Sequence, residues 1–157
     1  MEIPILFLAA LVLVQTPQSE KPVATYPQSN ANAGATPFAG QGMWSAFHGQ
    51  AGVDRIVDAF VDRNIADKRI LEIFKNQDHV RLRRTLKEQF CYILNGGCAY
   101  TGQTMQASHK DMGIQNADFN ALVENLQAAM RQEGVSFVSQ NRLLAKLAPM
   151  QKTTVKQ

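Results

Sequence analysis

The sequence has 157 residues, which is enough for one domain with a hydrophobic core and too few for two ordinary domains. Its 16 Lys and Arg residues against 13 Asp and Glu residues give a formal charge of +3. Because the basic residues are spread along the chain, we expect no nucleic-acid partner. With 45% hydrophobic residues, 18% charged residues and 2 cysteines, the composition excludes a largely disordered chain, a membrane bundle and a multi-disulfide scaffold.

An uncharged apolar run extends from Ile3 to Val14 near the start of the chain. It is shorter than the roughly 20 residues that a membrane-spanning helix needs, but it suits the hydrophobic region of a signal peptide. Against this, Glu2 is the only charge before the run, and no small-x-small cleavage site follows it directly. We predict a signal peptide or a membrane-anchoring segment over residues 1–16, and hence a periplasmic, secreted or membrane-anchored protein. A cytoplasmic protein with an unusual N-terminal tail is the alternative.

The next segment, residues 17–42, is rich in Pro, Gln, Ser, Asn, Ala and Gly and contains few large apolar side chains. Such a segment cannot bury enough apolar surface to offset the conformational entropy that it loses on ordering. We therefore predict a disordered linker over residues 17–42, which would serve as a tether, followed by a folded domain over residues 43–157.

Helical periodicity runs through this domain. In its first helix, apolar residues from Val53 to Ile65 recur at i, i+3, i+4 and i+7, while Asp54 and Asp58 occupy the other face. No window alternates apolar and polar residues over the length of a strand, so we predict an all-α domain. Helices are predicted over Gly52–Asp67, Lys68–Phe74, Asp78–Leu94 with Asp78 as N-cap, Met105–Met112, a segment that starts at Asn116 or Asp118 and ends at Gly134, and Phe137–Met150.

Motifs of the commonest nucleotide, zinc and hydrolase sites are missing: the sequence has no Gly-rich phosphate loop, CxxC, HExxH or nucleophile elbow. The histidines are His48, His79 and His109, and the last has Met105 and Met112 as neighbours on a short predicted helix. A lone imidazole is not a structural zinc site. It is sufficient for haem, because the porphyrin supplies the iron's other four nitrogens. From spacing alone, an exposed His109 without a ligand role stays open.

Short motifs follow one another in a distinctive order between Trp44 and Met150. They are Phe60, Phe74, the run Asp78–Arg84, Gly96-Gly97, Tyr100-Thr101-Gly102 with Met105 and His109, Gly113-Ile114 and Asp118-Phe119. In this order and spacing they resemble a group I truncated haemoglobin, the two-on-two α-helical globin. The resemblance implies a globin fold around haem b (iron protoporphyrin IX) that reversibly binds a diatomic gas ligand, O₂, CO or NO.

The same resemblance implies a role for individual residues around the haem. His109 would be the proximal iron ligand and Phe74 would stack on the haem. Tyr100 and Met105 would line the proximal edge and the propionate side, and Phe60 would pack on the distal side. As alternatives, both phenylalanines occupy positions that any helical domain would bury, and Tyr100 could serve only to hold its loop.

On the distal side, the sequence departs from the family's pattern. Val61 stands where group I proteins usually have a Tyr that donates a hydrogen bond to bound O₂, and Leu86 stands at the usual Gln position. Leu82 lies one turn earlier. With three apolar side chains we expect fast O₂ release, easy autoxidation and a relative preference for NO or CO. The missing hydrogen bond to a charge-bearing group would be worth roughly 1.5–3 kcal/mol, which is a factor of about 10–150 in O₂ affinity or dissociation rate.

Polar residues on the predicted Asp78–Leu94 helix leave further alternatives. Gln89 stands where the family more often has an aromatic residue along the ligand tunnel; it either supplies a replacement donor or faces solvent, and we expect the second. Thr85 occupies the usual position of an internal ligand, so internal six-coordination is not expected, and His79 is the remaining candidate for a sixth ligand. Arg84 belongs to a basic cluster that is otherwise a solvated helix face, and we predict that it pairs with a haem propionate.

Two cysteines, Cys91 and Cys98, flank the Gly-Gly pair that ends this helix. In an oxidising compartment they could form a disulfide that clamps the turn leading to His109. Two buried thiols are the alternative. If the protein is exported, the disulfide is the favoured interpretation.

Taken together, these features favour a monomeric ligand-binding globin for oxygen binding or transport over an enzyme. An NO dioxygenase is the enzymatic alternative, and it requires a stable oxy form and a reductase partner. A redox or gas-sensing globin, tethered through its N-terminus to a membrane partner, is the third interpretation. A helical interaction domain without haem is the fourth.

Overall fold

The computed structural model describes residues 18–155, so the predicted signal or anchoring segment over residues 1–16 lies outside the described residues. Within residues 18–155 all regular elements are helices, which confirms the all-α prediction. No helix in this range is long and apolar enough to cross a membrane. The α-helices are α1 (Gly42–Ala46), α2 (Gly49–Ala66), α3 (Leu71–Phe74), α4 (His79–Ile93), α5 (Met105–His109), α6 (Asn116–Gln132), α7 (Phe137–Leu147) and α8 (Gln151–Thr154).

Packing between the long helices creates the core. Helix α2 packs against both α4 and α6, and α6 packs in turn against α7. The main core cluster draws its buried side chains from all four of these helices, among them Val57, Phe60, Phe90, Leu126, Met130 and Leu143. A smaller cluster around Ile70, Phe74 and Ala121 lies beside it and shares Leu82 and Leu122 with it. Two helix pairs, α2 with α4 and α6 with α7, thus form the framework of the predicted two-on-two fold.

Local capping explains why these helices begin and end where they do. Asp78 caps α4 as predicted: its Oδ1 accepts a hydrogen bond from the backbone N–H of Arg81 at 3.0 Å. Ser136 caps α7 in the same manner. After α4, Asn95 and Gly97 adopt φ values of 65° and 84°, the left-handed conformation that stops a right-handed helix.

Two predicted helices are shorter than the sequence suggested. The predicted helix over Lys68–Phe74 is reduced to α3, because its first three residues form a turn. The predicted helix over Met105–Met112 ends at His109. There the chain turns away, because Asp111 and Gly113 have φ values of 60° and 63° that a right-handed helix cannot accommodate.

The prediction of a disordered linker is wrong for the part of it that the structure describes. Residues 18–41, the N-terminal strap, run mostly without regular structure but pack on the helical domain, with a 3₁₀ helix over Asn30–Ala33 against α4. Ala33 is fully buried, at 0% exposure. The backbone N–H of Phe38 donates to the carbonyl oxygen of Ile93 at 2.8 Å.

Hydrogen bonds and ion pairs hold much of this strap, together with a few apolar side chains such as Ala33 and Phe38 that pack on the core. The Tyr26 hydroxyl donates to the carbonyl oxygen of Thr101 at 2.9 Å. Asn30 Oδ1 accepts from the backbone N–H of Tyr100 at 2.8 Å. At the start of the strap, Glu20 forms ion pairs with Arg81 and Arg84 on α4.

A disulfide joins Cys91 to Cys98, with 5.7 Å between the Cα atoms, so the disulfide alternative is confirmed. Cys91 lies buried in the last turn of α4, and Cys98 is partly exposed in the following loop. The bond therefore ties the end of α4 to the loop that carries Tyr100 and leads into α5.

Candidate functional site

The predicted proximal ligand, His109, is the last residue of α5. Thr104 caps this helix, accepting from the backbone N–H of Ala107 at 3.1 Å. One turn after the start of α5, His109 Nδ1 lies 2.6 Å from the carbonyl oxygen of Met105. Because a carbonyl only accepts, Nδ1 carries the proton, and the lone pair of the neutral ring remains on Nε2. This is the arrangement in which a metal-bound histidine is usually held by its surroundings.

The protonation state of His109 suits the same role. Burial lowers the pKa of this partly buried imidazole below its ordinary value, while the hydrogen bond to the Met105 carbonyl opposes the shift. The neutral ring is therefore favoured at neutral pH, and only the neutral ring can bind a metal ion.

Four of the predicted distal residues lie in one apolar cluster. Phe60 and Val61 on α2 are 3% and 0% exposed. Leu82 and Leu86 on α4 pack against the same cluster but stay partly exposed. The helices thus bring together the side chains that the sequence placed on the distal side, and all four are apolar.

Several apolar side chains on α4, α5 and α6 are only partly buried. Within the described stretch of α4 from residue 79 to residue 88, no residue is buried. Leu82 and Leu86 on α4, Met105 on α5 and Phe119 on α6 all keep accessible surface. Among residues 18–155 no cluster of three or more His, Cys, Asp or Glu could hold a bare metal ion. A single imidazole together with apolar side chains is the set of groups that suits haem, because its macrocycle is apolar and brings its own nitrogens.

On the proximal side, the predicted aromatic residues are both buried. Phe74, at the end of α3, is 8% exposed and packs with Ile70 and Ala121. Tyr100 is 5% exposed, and its hydroxyl donates to the carbonyl oxygen of Gln103 at 3.1 Å. Burial raises the pKa of Tyr100 to about 12, so its hydroxyl stays protonated. The assignment of both residues to the haem remains a prediction.

Arg84, the predicted propionate partner, already pairs with carboxylates in the structure. Its guanidinium contacts Glu88 Oε1 at 2.8 Å, Glu20 Oε2 at 3.0 Å and Thr101 Oγ1 at 2.6 Å. The hydrogen bond to Glu20, opposed by partial burial, raises the Arg84 pKa above its ordinary value. A propionate at this residue would therefore compete with Glu20, a contact that sequence reasoning missed because it treated the strap as disordered.

The expectation that Gln89 faces solvent is wrong. Its side chain is 5% exposed, and Nε2 donates to the carbonyl oxygen of Ala33 in the strap at 2.8 Å. The same nitrogen lies 3.4 Å from Met105 Sδ and 3.8 Å from Met150 Sδ. The strap, which was predicted to be disordered, covers this side of α4. The Gln89 amide therefore binds the strap and does not face solvent.

The other polar candidates on α4 make local hydrogen bonds. His79 Nε2 lies 2.7 Å from the carbonyl oxygen of Phe74, and the Thr85 hydroxyl donates to the carbonyl oxygen of Arg81 at 2.9 Å. As a sixth ligand, His79 would have to give up this bond or turn its other nitrogen to the iron.

Asn64 on α2 is a polar residue of the distal helix that the sequence analysis did not single out. It is 1% exposed, and its Oδ1 accepts from Asn125 Nδ2 at 3.0 Å. Its own Nδ2 is buried without a hydrogen-bond partner among the described residues. Being four residues after Phe60 and three after Val61, it lies on the same helix face one turn further on. In the sequence, a polar residue within the apolar stripe of α2 was the signal that could have identified Asn64 as a buried polar side chain.

Comparison with known proteins identifies the fold and the family. A family model described as bacterial-like globin matches residues 42–156. The group 1 truncated hemoglobin of Tetrahymena thermophila is 34% identical over 88 residues, which cover 56% of this chain and 73% of that protein. The corresponding Synechocystis protein is 30% identical over 97 residues, covering 59% of this chain and 78% of that protein.

Solved structures agree with this result. The truncated hemoglobin of Tetrahymena pyriformis in its Fe(III) form superposes with a TM-score of 0.70 at 26% identity, covering 73% of this chain and 98% of that one. A 2/2 hemoglobin from Synechococcus with covalently attached heme has a TM-score of 0.68 at 23% identity, over 73% of this chain and 98% of that one, which shows the fold alone. The resemblance seen in the sequence is thereby confirmed, and the chain belongs to the bacterial-like globin family.

Proposed function

We propose that this protein binds haem b through His109 and reversibly binds diatomic gases, O₂, CO or NO, on the other face of the haem. The observation that carries the proposal is the 2.6 Å contact between His109 Nδ1 and the Met105 carbonyl oxygen, since it leaves Nε2 with the lone pair that an iron ligand needs. Membership of the globin family supports haem as the cofactor and a gas as the ligand. When bound, haem supplies the iron to which the gas attaches.

The protein's own residues would hold the haem and exclude water. His109 would ligate the iron, with Phe74, Tyr100 and Met105 on the proximal side. Val61 and Leu86 would leave the gas without a hydrogen-bond donor at the positions that usually supply one. A bound O₂ carries partial negative charge and would lose more from this than CO or NO, so O₂ should dissociate fast and the oxy form should oxidise readily.

The test is a hydroxyl placed at the position of Val61. In haem-reconstituted full-length protein, Val61→Tyr should slow O₂ dissociation by about 10–150-fold, the value of one hydrogen bond to a charge-bearing group. CO dissociation should change much less. The matched control is Val61→Phe, which has the same ring without the hydroxyl and should not slow O₂ release to this degree. Stopped-flow displacement of O₂ by CO measures the rate.

Two outcomes would contradict the apolar pocket. One is wild-type O₂ dissociation as slow as that of Val61→Tyr. The other concerns Asn64, whose buried Nδ2 is a donor on the same helix face. If Asn64→Leu accelerates O₂ release tenfold or more, this amide serves as the distal donor and the pocket is polar.

NO dioxygenation is the enzymatic alternative. In that reaction, the two oxygen atoms of bound O₂ combine with NO to form nitrate, and a reductase partner returns the ferric iron to the ferrous state. A fast-dissociating oxy form, as the apolar residues predict, disfavours it. Stoichiometric nitrate on mixing the oxy protein with NO would support the alternative, whereas ligand exchange without nitrate supports simple binding.

The second part of the proposal is export, either as a protein cleaved from its signal peptide or as one retained on a membrane. The Cys91–Cys98 disulfide supports it, because such bonds persist mainly in oxidising compartments. The apolar run Ile3–Val14 supports it as well. Cell fractionation and mass spectrometry of the mature N-terminus distinguish a cleaved signal peptide, a retained anchor and a cytoplasmic tail. Of these three, only a retained anchor is compatible with a membrane-tethered sensor. Analytical ultracentrifugation of the purified protein tests separately whether it is a monomer.

A further inference from the structure

We propose that the N-terminal strap is part of the proximal wall of the haem pocket, and that Gln89 is the positioning residue through which the strap holds His109 in place. This inference rests on the proposed function, since it assigns His109 to the iron.

The first link joins the strap to α4. Gln89 Nε2 donates to the carbonyl oxygen of Ala33 at 2.8 Å, and both residues are buried, at 5% and 0% exposure. A hydrogen bond between two buried polar groups is specific, because breaking it leaves a donor and an acceptor without water. The strap is therefore held at this point by one amide.

The second link joins Gln89 to α5 through Met105. The Met105 sulfur lies 3.4 Å from Gln89 Nε2, and the Met105 carbonyl oxygen lies 2.6 Å from His109 Nδ1. One residue thus contacts Gln89 with its side chain and His109 with its backbone. A displacement of Met105 changes the distance over which His109 Nδ1–H donates.

Close packing of the strap on Met105 gives an independent observation. Gly34 follows Ala33 with a φ of 80°, and a Cβ added there would lie 3.0 Å from Met105 Cγ and 3.0 Å from Met150 Cε. The space beside Gly34 is therefore occupied by the Met105 and Met150 side chains, so the strap backbone packs closely against both of them. The strap cannot leave this place without freeing the Met105 side chain.

The consequence for haem follows from the role of the Nδ1–H bond. The partner of Nδ1–H orients a metal-bound imidazole and tunes its basicity, and so the strength of the iron–nitrogen bond. By fixing Met105, Gln89 and the strap fix the acceptor of that hydrogen bond.

The experiment compares two buried glutamines in the haem-reconstituted full-length protein. Gln89→Met keeps the size of the side chain and removes the donor. Gln140→Met is the matched control, because Gln140 is 3% exposed and its Nε2 also donates to a backbone carbonyl oxygen, that of Val135, at 2.8 Å. Resonance Raman spectroscopy of the ferrous protein gives the iron–histidine stretching band, which a general loss of stability does not shift.

We expect the iron–histidine band to shift or split in Gln89→Met and to stay at the wild-type frequency in Gln140→Met. Gly34→Ala strains the strap backbone at φ 80° and crowds the Met105 and Met150 side chains, so it should shift the band as well. It is the second variant if Gln89→Met binds haem poorly. An unchanged band in both Gln89→Met and Gly34→Ala overturns the inference. If instead the wild-type band survives His109→Ala, the proposed function itself fails, so the two failures are distinguishable.

Discussion

At the residue scale, hydrogen bonds to backbone carbonyls determine which nitrogen atoms of the polar side chains remain free to contact a haem or its ligand. His109 and His79 each place one ring nitrogen within 2.7 Å of a carbonyl oxygen one turn or so away, and Gln89 donates to the strap. The resemblance in the sequence singled out His109 as the predicted iron ligand from the order of its neighbours. It could not identify the partner of Gln89, because Ala33 is 56 residues away in the chain and its segment has no helical period.

A second residue, Glu133 at the end of α6, gives a prediction for the effect of acid. Its carboxylate accepts from Arg55 at 2.6 Å and contacts His48 Nδ1 at 3.1 Å, and so connects α6 to the start of α2. The hydrogen bond from Arg55, followed by that from His48, lowers the Glu133 pKa to about 2 despite partial burial. Because the Glu133 pKa is lower in the folded protein than in the unfolded chain, the charged carboxylate stabilises the fold. This stabilisation is fully present above the unfolded pKa and is lost as the pH falls toward 2.

We therefore expect Glu133→Gln to lower the urea midpoint clearly at about pH 5 and much less at about pH 2.5, because the pH there lies far below the unfolded pKa and close to the folded one, so most of the stabilisation from the charged carboxylate is already lost. The control is Glu72→Gln, because Glu72 is an exposed partner of Lys75 at 3.5 Å and should leave the midpoint unchanged at both pH values. An equal difference between Glu133→Gln and wild type at both pH values would refute this assignment.

At the scale of elements, hydrophobic periodicity was sufficient to predict the bounds of a helix that buries one face. Helices α2, α4 and α6 begin and end within about three residues of their predicted bounds, because their apolar stripes and caps are local properties of the sequence. The predicted helix after Met105 ended early at His109, where a local left-handed turn at Asp111 overrides propensity. Tertiary contacts, which no local pattern contains, determine the path of the strap.

The disulfide at the end of α4 yields a prediction at this scale. Cys91 and Cys98 are 7 residues apart, and the chain-entropy model for such a short loop gives about 2.5 kcal/mol of stabilisation. We expect a dithiol reductant to lower the free energy of unfolding of wild type by about this amount. The double variant Cys91→Ala/Cys98→Ser should show a similar loss without reductant and no further loss with it.

Urea unfolding with and without the reductant measures the effect, and a thiol titration confirms reduction. If fully reduced wild type is as stable as the oxidised protein, the bond does not clamp this turn.

At the scale of the whole molecule, the strap changes the description of the domain. The helices from α1 to α8 bury the main core, but the strap adds contacts to α4, to the loop after it and to Met105. The composition predicted too little apolar surface for order, and this is true of the segment by itself. Folded helices supply the missing partners, as the bonds from Asn30 and Phe38 to the domain illustrate.

Amide hydrogen exchange tests the order of the strap. The Phe38 amide donates to Ile93, and the Tyr100 amide donates to Asn30. Both should exchange at least about tenfold more slowly than in an unfolded chain, which corresponds to about 1.4 kcal/mol of opening free energy. Asn30→Ala removes the side-chain acceptor and should speed exchange at Tyr100 while leaving Phe38 protected. If the Phe38 amide of the wild type exchanges as fast as in an unfolded chain, the strap is disordered, as its composition predicted.

The absorption spectrum of the ferrous reconstituted protein tests most directly whether His109 ligates a haem iron. His79→Ala is the matched control, because His79 also places a ring nitrogen near a backbone carbonyl oxygen, at 2.7 Å, and lies on α4 instead of α5. Wild type and His79→Ala should both show the band of five-coordinate, histidine-ligated haem. His109→Ala should lose it and recover it when imidazole is added. The same five-coordinate band in His109→Ala without imidazole would contradict the account.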